Sequence, residues 1–232
     1  MAFLEVDEIH TYYGQSHVLQ GISLEVEEGE IVAIIGRNGV GKTTTLRSIL
    51  QLTPPRRGHV RFKGEDVTDM PTHEVASRGM GWVPEDRRMF SHLTVAENLR
   101  VAVPSGANPG ESMQYAYSLF PDLDRFRQKE AGNLSGGQQQ MLALARGIIG
   151  DNDLLLVDEP SEGLAPLIVK DVVEALHDIS QDTTMVLVEQ NFSIAMNLAD
   201  RFYLIDQGRV VESGDTEGVT ADDERIRRYL TA

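Results

Sequence analysis

The feature that most constrains the fold of this chain is a glycine-rich segment at residues 36–43, which lies between an apolar run and a helical pattern. The segment reads Gly-Arg-Asn-Gly-Val-Gly-Lys-Thr and fits the phosphate-loop pattern G-x-x-x-x-G-K-[ST]. The run before it, Ile31 to Ile35, is continuously apolar, as expected of a strand buried on both faces of a parallel sheet. A buried strand, a phosphate loop and a helix in this order predict a doubly wound α/β core with a phosphate site at the end of a strand.

Each residue type in this segment suits contact with a phosphate group. Glycines let backbone N–H groups turn toward phosphate oxygens, and the start of the following helix adds partial positive charge. The Lys42 ammonium would reach the β- and γ-phosphates, and the Thr43 hydroxyl would ligate Mg²⁺. The predicted nucleotide-binding residues of the loop are Gly36, Arg37, Asn38, Gly39, Val40, Gly41, Lys42, Thr43 and Thr44.

Two adjacent acids mark the end of a second predicted core strand. Four apolar residues at 154–157 run directly into Asp158 and Glu159. At the carboxyl end of a parallel strand, these acids would lie beside the phosphate loop. We expect Asp158 to hold Mg²⁺ and Glu159 to accept or orient the proton of an attacking water, and a surface turn with two acids is the plainer alternative.

A third motif, Leu-Ser-Gly-Gly-Gln at residues 134–138, lies between the phosphate loop and the acidic strand end. Ser135 and Gln138 have the spacing of a capping box, in which each side chain accepts a hydrogen bond from the other residue's backbone N–H. A capping box starts a helix, and that role requires no ligand. The first N–H groups of such a helix would also suit a phosphate.

The order of these three motifs resembles that of ATP-binding cassette ATPases. The resemblance implies an α/β fold with a P-loop NTPase (RecA-like) core, an N-terminal antiparallel β layer and an inserted helical subdomain. It also implies ATP and Mg²⁺ as cofactors. In that family the third motif binds the γ-phosphate of ATP held by a second ATPase subunit, so a head-to-tail dimer with two ATP molecules is expected. The residues that would act in this way are Ser135, Gly136, Gly137 and Gln138.

The pattern along the rest of the chain fits this architecture. The first sixty-odd residues alternate in strand fashion, and short apolar runs later alternate with helical patterns. Between about residues 87 and 150 the pattern is helical and broken by prolines. We therefore predict one cassette, in which residues 1–86 and 151–232 form the core with its antiparallel layer and residues 87–150 form the helical subdomain.

Turn chemistry predicts three smaller elements. Residues 105–110 are rich in turn-forming residues and predict a mobile loop, with a helix from Ser112 onward. Residues 204–212 predict a hairpin around Gln207-Gly208. The acids at 222–224 are expected to open a final helix, because negative charge suits a helix N-terminus.

Tyr13 stands ahead of the phosphate loop, where cassette proteins commonly have an aromatic residue that stacks on adenine. By this position Tyr13, rather than Tyr12, is the predicted adenine contact. Ordinary packing at a strand end is the alternative.

Two residues differ from the usual cassette pattern. Glu85 stands where most cassettes have a glutamine, and Gln190 stands where most have a switch histidine. A carboxylate at Glu85 can ligate Mg²⁺ directly or through water, whereas the Gln190 amide can donate a hydrogen bond to phosphate but cannot carry a proton. Glu159 is therefore the main predicted base, and Lys42 and Gln190 complete the predicted catalytic set. For Glu85 and Gln190 a solvated loop position is the alternative.

These departures also narrow the subfamily. The segments 83–90, 160–166 and 188–191 look like those of LivF-type ATPase subunits of branched-chain amino-acid importers, and the resemblance covers essentially the whole chain. It implies two transmembrane permease subunits as partners, together with a second ATPase subunit, identical or merely similar. The residues that would contact a short helix of a permease subunit are Arg87, Arg88, Met89 and Phe90, and ordinary packing or solvated charge is the alternative for each.

Other interpretations stay open. The ATPase of a urea or short-amide importer is closely alike in its motifs around Glu85 and Gln190, and the pair Ala165-Pro166 favours amino acids. A cassette in a non-membrane assembly, or a nucleotide-binding module without turnover, would carry the same motifs. The chain does not specify the cargo, because substrate choice would reside in other subunits.

The charge balance limits the partners that the chain could bind, and the absence of cysteine bears on the compartment in which it works. Lys and Arg total 21 against 36 Asp and Glu, a formal charge of -15, which argues against nucleic acid because binding to a phosphate backbone needs clustered cations. A solvated acidic surface or adaptation to high salt would account for the excess acid. The chain has no cysteine, no apolar run of about 20 residues and no signal-like start. We therefore expect it in the cytoplasm, and the resemblance implies that its partners hold it at the cytoplasmic face of the membrane.

Overall fold

The computed structural model describes residues 2–150, 152–220 and 223–230 of the chain. Within these ranges no helix is both long enough and apolar enough to cross a membrane. The strands are β1 (Leu4–Tyr13), β2 (Ser16–Val26), β3 (Ile31–Ile35), β4 (Arg57–Phe62), β5 (Glu65–Asp66), β6 (Met80–Val83), β7 (Leu154–Asp158), β8 (Thr184–Glu189), β9 (Arg201–Asp206) and β10 (Arg209–Asp215). The helices are α1 (Lys42–Ile49), α2 (Thr72–Ser77), α3 (Val95–Ala102), α4 (Pro109–Leu119), α5 (Pro121–Arg125), α6 (Gly136–Ile149), α7 (Pro166–Ile179), α8 (Phe192–Leu198) and α9 (Glu224–Leu230).

The N-terminal strands form a four-stranded antiparallel sheet in the order β2-β1-β4-β5. Leu4 on β1 pairs with Val26 on β2 and with Phe62 on β4, and all three side chains are buried. Burial of one face explains why apolar and polar residues alternate in this part of the sequence. The predicted antiparallel layer is confirmed.

A second sheet has six strands in the order β10-β9-β3-β8-β7-β6. Strand β3 is parallel to both β8 and β9, and all five of its residues are buried. Burial on both faces accounts for the continuous apolar run Ile31–Ile35. Strands β9 and β10 form the predicted antiparallel hairpin, whose turn residues Gln207 and Gly208 both have positive φ.

The parallel strands β3, β6, β7 and β8 end at the same edge of this sheet, and a chemically distinctive segment follows each of them. The phosphate loop follows β3, Glu85 follows β6, Glu159 follows β7 and Gln190 follows β8. Because the carboxyl ends of parallel strands converge at one edge, residues far apart in the sequence meet there.

Two hydrophobic clusters pack against the opposite faces of the parallel sheet. In β3, Ile31 and Ile35 join the cluster formed with helices α3 to α8, whereas Val32 and Ile34 join the cluster formed with α1 and the antiparallel sheet. This alternation follows from the two-residue period of a strand. It holds β3, and the loop that follows it, between two packed layers.

Residues 95–149 are mainly helical, as predicted. Helix α6 buries the apolar residues Met141, Leu142, Leu144 and Ala145 and packs against α3, α4 and β6. The buried faces of these helices and the face of the sheet that α7 covers belong to one apolar cluster. The division of the cassette at residues 87 and 150 stays a prediction.

One local prediction was wrong in its boundaries, whereas the acidic start predicted for the final helix is confirmed. The predicted loop at 105–110 is shorter, because the side chain of Asn108 accepts a hydrogen bond from the Gly110 N–H and α4 begins at Pro109 rather than at Ser112. Proline is well tolerated in the first turn of a helix, where its missing N–H costs nothing. The final helix begins at Glu224, and Asp222 lies outside the described residues.

Candidate nucleotide site

The phosphate loop crosses from the end of β3 to the start of α1 at the carboxyl edge of the sheet. Gly36 lies against the backbone carbonyl of Ile205, where a Cβ would overlap the oxygen atom. Gly41 has a φ of 117°, and a Cβ there would come within 2.8 Å of the Leu19 side chain. Gly36 therefore requires glycine for close approach of the backbone, and Gly41 requires it for its backbone conformation.

The start of α1 has free N–H groups that face this loop. Its N-cap residue is Gly41, which offers no capping side chain, and no acidic residue lies in the first turn. The first backbone N–H groups of a helix have no partner within the helix, and they carry partial positive charge. An anion is therefore favoured at this end of α1.

Lys42 contributes one formal positive charge to the loop. Its Nζ donates to the carbonyl oxygens of Gly36 and Arg37 at 2.9 and 3.1 Å and contacts the Asn38 Oδ1 at 3.5 Å. It also forms an ion pair of 2.8 Å with the carboxylate of Glu159. Both partners of this pair are almost fully buried, at 4% and 6% exposure. Glu159 therefore takes the position that another anion would need in order to contact Lys42.

Thr43 and Asp158 meet across the cleft, as their assignment to one metal site predicts. The Thr43 hydroxyl donates to the Asp158 Oδ1 at 3.0 Å, while the buried Oδ2 of Asp158 has no hydrogen-bond partner among the described residues. Burial, together with the nearby Glu85 and Glu159 carboxylates, raises the pKa of Asp158 from 3.8 to about 6 against the opposing effects of the Thr43 hydrogen bond and the Lys42 charge. A buried carboxylate oxygen without a hydrogen-bond donor suits contact with a positively charged group.

Glu159 has an unusual backbone conformation for a non-glycine residue, with a φ of 48°. Its N–H donates to the carbonyl of Val188 on β8 at 2.9 Å, which helps to hold this conformation. Such strain costs about 1–3 kcal/mol and is concentrated at functional sites. In this conformation the Glu159 side chain forms the ion pair with Lys42.

A further acid in this cleft, Glu162, was missed by the sequence analysis. The cleft has a volume of about 320 Å³, and its lining includes the phosphate loop, Glu85, Glu159 and Glu162. Burial raises the pKa of Glu85, and Glu162 raises it further through repulsion and a shared hydrogen bond. The sequence signal was the Glu at the second position of Ser161-Glu-Gly-Leu, but nothing in that spacing indicates that it faces Glu85.

The oxygen ligands in this cleft fit a hard divalent cation such as Mg²⁺. Thr43 and Asp158 offer a hydroxyl and a free carboxylate oxygen, and Glu85 lies near enough to raise the pKa of Asp158. Among the described residues, no group of three or more His, Cys, Asp or Glu side chains forms a metal site by itself. A cation here would thus complete its coordination with phosphate oxygens and water, which is how proteins usually bind Mg²⁺.

Tyr13 lies at the end of β1 with 43% of its surface exposed, and its hydroxyl is 3.4 Å from the Thr53 Oγ1. The neighbouring Tyr12 is already covered, because it stacks on His17 at 4.2 Å and lies beneath the Arg56 guanidinium. Tyr13 is not among the residues that line the cleft. Of the two tyrosines, it has the ring that is free to stack on a base.

The third motif forms the predicted capping box. The Gln138 N–H donates to the Ser135 Oγ at 3.3 Å, and the Ser135 N–H donates to the Gln138 Oε1 at 3.1 Å. Ser135 and Gly136 are exposed at the start of α6, whereas Gly137 packs so closely on Ile168 of α7 that a Cβ would come within 2.8 Å of it. These residues do not line the cleft of their own chain.

Gln190 is exposed and lies outside the lining of the cleft. Its neighbour Glu189 is instead buried, with 1% exposure, and accepts hydrogen bonds from Ser161 and from the Asn191 N–H. Burial raises the pKa of Glu189 to about 6 despite these bonds. The sequence analysis took Gln190 as the functional residue of this segment and missed Glu189.

Comparisons with known proteins relate the chain to ATP-binding proteins of transporters. Residues 19–162 match the family model described as ABC transporter. The chain is 38% identical to the high-affinity branched-chain amino acid transport ATP-binding protein BraG of Pseudomonas aeruginosa, over 97% of each chain. It is 32% identical to LivF of Archaeoglobus fulgidus, named as a probable branched-chain amino acid transport ATP-binding protein, over 91% of each.

Solved structures agree as well. The fold matches the ADP conformation of an ATP-binding cassette of an ABC transporter with a TM-score of 0.83 and 25% identity, over 100% of both chains. Other relatives that match over nearly their whole length are named for lipopolysaccharide export and for arginine transport. The similarity thus extends to cassettes of more than one cargo.

Proposed function

This chain belongs to the ABC transporter family of ATP-binding proteins, and we propose that it is the Mg²⁺-dependent ATPase subunit of an importer for branched-chain amino acids. The observation that carries the ATPase role is the convergence of Lys42, Thr43, Asp158 and Glu159 in one cleft. The similarity to BraG over nearly the whole chain supports the cargo.

The α1 amides and the Lys42 ammonium are the groups that would bind the triphosphate. Lys42 forms an ion pair with Glu159, so it would exchange that carboxylate for phosphate oxygens when nucleotide enters. The exchange frees Glu159 to face a water molecule. Binding of the nucleotide and release of the base Glu159 would then both depend on the Lys42 ammonium group.

Thr43 and Asp158 would hold Mg²⁺, and Glu85 would reach it directly or through water. When bound, Mg²⁺ supplies charge neutralisation at the phosphate oxygens. Asp158 would gain a charged partner for its free Oδ2. Glu85, Glu159 and Glu162 line the same cleft as Lys42. Their carboxylates would repel the phosphate groups of a nucleotide that binds without a cation.

Glu159 is the proposed base, which accepts or orients the proton of the attacking water. The Gln190 amide would donate a hydrogen bond to phosphate and carries no proton, so proton transfer rests with Glu159. This chemistry depends on positioning and charge stabilisation rather than on a covalent step. The strained backbone at Glu159 supports such positioning.

The start of α6 would act on ATP held by a second ATPase subunit. Its capping box leaves exposed backbone N–H groups outside the cleft of its own chain, which suits a phosphate presented by another subunit. Ser135, Gly136, Gly137 and Gln138 would then cover the nucleotide of the partner. The assembly would be a head-to-tail dimer, with either an identical or a similar second cassette.

Two permease subunits would dock beside the loop that follows Glu85. Phe90 is 47% exposed, and Arg87 and Arg88 line a shallow groove with Trp82 next to it. Exposed apolar residues beside cations suit a partner helix. The ATPase would thus be peripheral, held at the cytoplasmic face of the membrane by these partners.

Replacement of Glu159 by Gln tests the ATPase role. We expect phosphate release to fall by about a thousandfold while ATP still binds, because the amide keeps the shape but cannot act as a base. A trapped, ATP-bound dimer should appear in size-exclusion chromatography. Glu174→Gln on the exposed face of α7 is the matched control. Equal slow phosphate release by both variants and the wild type would favour a binding module without turnover.

Co-purification tests the transporter role. We expect the chain to purify from membranes with two polytopic subunits, and vesicles reconstituted with the complete complex to accumulate leucine at the expense of ATP. Accumulation of urea or short amides instead would select the main alternative cargo. A stable complex that contains no membrane subunit would refute import.

A further inference from the structure

The buried carboxylate of Glu189 connects two turns at the edge of the site. Glu189 is the last residue of β8, and its side chain is 1% exposed. Its Oε1 accepts from the Ser161 N–H at 3.2 Å. Its Oε2 accepts from the Ser161 hydroxyl at 3.0 Å and from the Asn191 N–H at 3.3 Å.

These donors belong to the two segments that flank the proposed base. Ser161 lies two residues beyond Glu159, in a turn closed by hydrogen bonds from Glu162 to Glu159 and from Leu164 to Ser161. Asn191 follows Gln190, and its side chain caps α8 by accepting from the first N–H groups of that helix. One carboxylate therefore ties the turn after β7 to the turn after β8.

The hydrogen-bond pattern requires a carboxylate at this position. Two of the three donors are backbone N–H groups, at Ser161 and Asn191, and a backbone N–H cannot become an acceptor. One of them binds each carboxylate oxygen. A glutamine would therefore direct its own N–H₂ group at one of these donors, whichever way the amide is turned. Charge-assisted bonds of this kind are also roughly twice as strong as neutral ones.

Resting on the proposed ATPase function, we propose that Glu189 is a positioning residue, whose carboxylate holds the turn after Glu159 and the turn that carries Gln190 in one fixed arrangement. Glu159 is held from the same strand, since its N–H donates to the Val188 carbonyl. The base and Gln190 thus keep their relative places through β8. Nucleotide binding depends mainly on β3 and α1, so Glu189 should affect turnover rather than affinity.

Hydrogen exchange of the nucleotide-free chain tests this role independently of activity. In Glu189→Gln we expect exchange to rise by about tenfold in both segments, 160–164 and 190–195, and to stay unchanged at 36–46. Ser161→Ala removes one hydrogen bond only and should raise exchange in 160–164 alone. Glu174→Gln on α7 should change neither segment. An increase in only one segment of Glu189→Gln, in neither, or throughout the chain would overturn the proposal.

Kinetics supply the second readout. We expect kcat of Glu189→Gln to fall by about 10- to 100-fold, as for displaced catalytic groups, while the Kd for Mg-ATP changes by less than about twofold. A parallel loss of affinity would contradict a positioning role. If Glu189→Gln does not fold, Glu189→Asp replaces it with the same expectations, because the shorter side chain keeps the charge but does not span both turns. A wild type without ATPase activity would refute the proposed function, and the exchange result would still decide the role of Glu189.

Discussion

At the scale of single residues, the contact between Thr43 and Asp158 joins the phosphate loop to the acidic strand end. The sequence predicted this meeting from two motifs at strand ends. It did not predict that one Asp158 oxygen would be left without a partner, because that depends on which donors the packed sheet brings near it. The free oxygen is the more informative observation, since a buried carboxylate oxygen without a donor suits contact with a cation.

Removal of the Thr43 hydroxyl should weaken the response to Mg²⁺. In Thr43→Val we expect the Mg²⁺ concentration for half-maximal ATPase activity to rise by about tenfold or more, because one ligand is lost and the Asp158 side chain loses the one donor it has among the described residues. Affinity for ATP in EDTA should change little. Titration of MgCl₂ at fixed ATP measures the first quantity, and fluorescence of a nucleotide analogue measures the second.

Thr45→Val is the matched control, because the Thr45 hydroxyl lies in the same helix and donates to the Gly41 carbonyl instead. Its Mg²⁺ requirement should equal that of the wild type. An unchanged requirement in Thr43→Val would remove Thr43 from the metal site.

The raised pKa of Asp158 predicts an unusual pH dependence of stability. The folded chain binds this proton more tightly than the unfolded chain does, so the contribution is fully present below about pH 4 and is lost as the pH rises to about 6. A rise in pKa from 3.8 to about 6 corresponds to about 2–3 kcal/mol. In EDTA and without nucleotide, wild type should therefore lose stability relative to Asp158→Asn between pH 4 and 6.5. Melting curves that run parallel over this range would show that the carboxylate is not destabilised by burial.

At the scale of elements, α3 and α6 begin with the same device. Thr94 and Glu97 form a capping box at α3, and Ser135 and Gln138 form one at α6. Both are local, so the sequence spacing suffices to predict them. Whether such a helix start also serves a ligand depends on what faces it, and spacing alone carries no information on that.

The paired boxes separate the structural role from the functional one. Ser135→Ala and Thr94→Ala should each lower the free energy of unfolding by about 1 kcal/mol, as loss of an N-cap usually does. Only Ser135→Ala should also reduce ATPase activity and the ATP-dependent dimerisation of Glu159→Gln. Urea unfolding and phosphate release measure the two effects. Equal ATPase activity of the two variants would indicate that Ser135 serves only as the structural cap of α6.

The loop between β6 and α3 makes contacts with α6 that the boundaries of the helices and strands do not predict. Arg87 and Arg88 both have positive φ, at 60° and 39°. The Arg87 Nε donates to the buried Gln140 Oε1 on α6 at 3.0 Å, and the Arg146 side chain donates to the Arg88 carbonyl at 2.8 Å. The loop after Glu85 is thus tied to α6 through both arginines, a packing role that the sequence pattern did not specify.

At the scale of the whole molecule, the formal charge of -15 is the dominant property. Self-repulsion destabilises a compact acidic chain, and salt screens it over a distance of about 8 Å at physiological ionic strength. We expect the melting temperature to rise by about 2–4 °C between 10 and 150 mM KCl and then to level off. A rise that continues into molar KCl would instead support adaptation to high salt.

The sequence by itself determined the local features of this protein. Residues 36–43, the capping box at Ser135 and the apolar runs that become β3 and β7 depend on interactions between neighbours in the chain, and their spacing encodes them. The tertiary structure alone decided the contacts that no motif predicts. Strand β8 lies between β3 and β7, and this order brings Glu189 to Ser161, 28 residues away, and Glu162 to Glu85. Side-chain contact across a sheet depends on strand order and packing, and no local pattern records either.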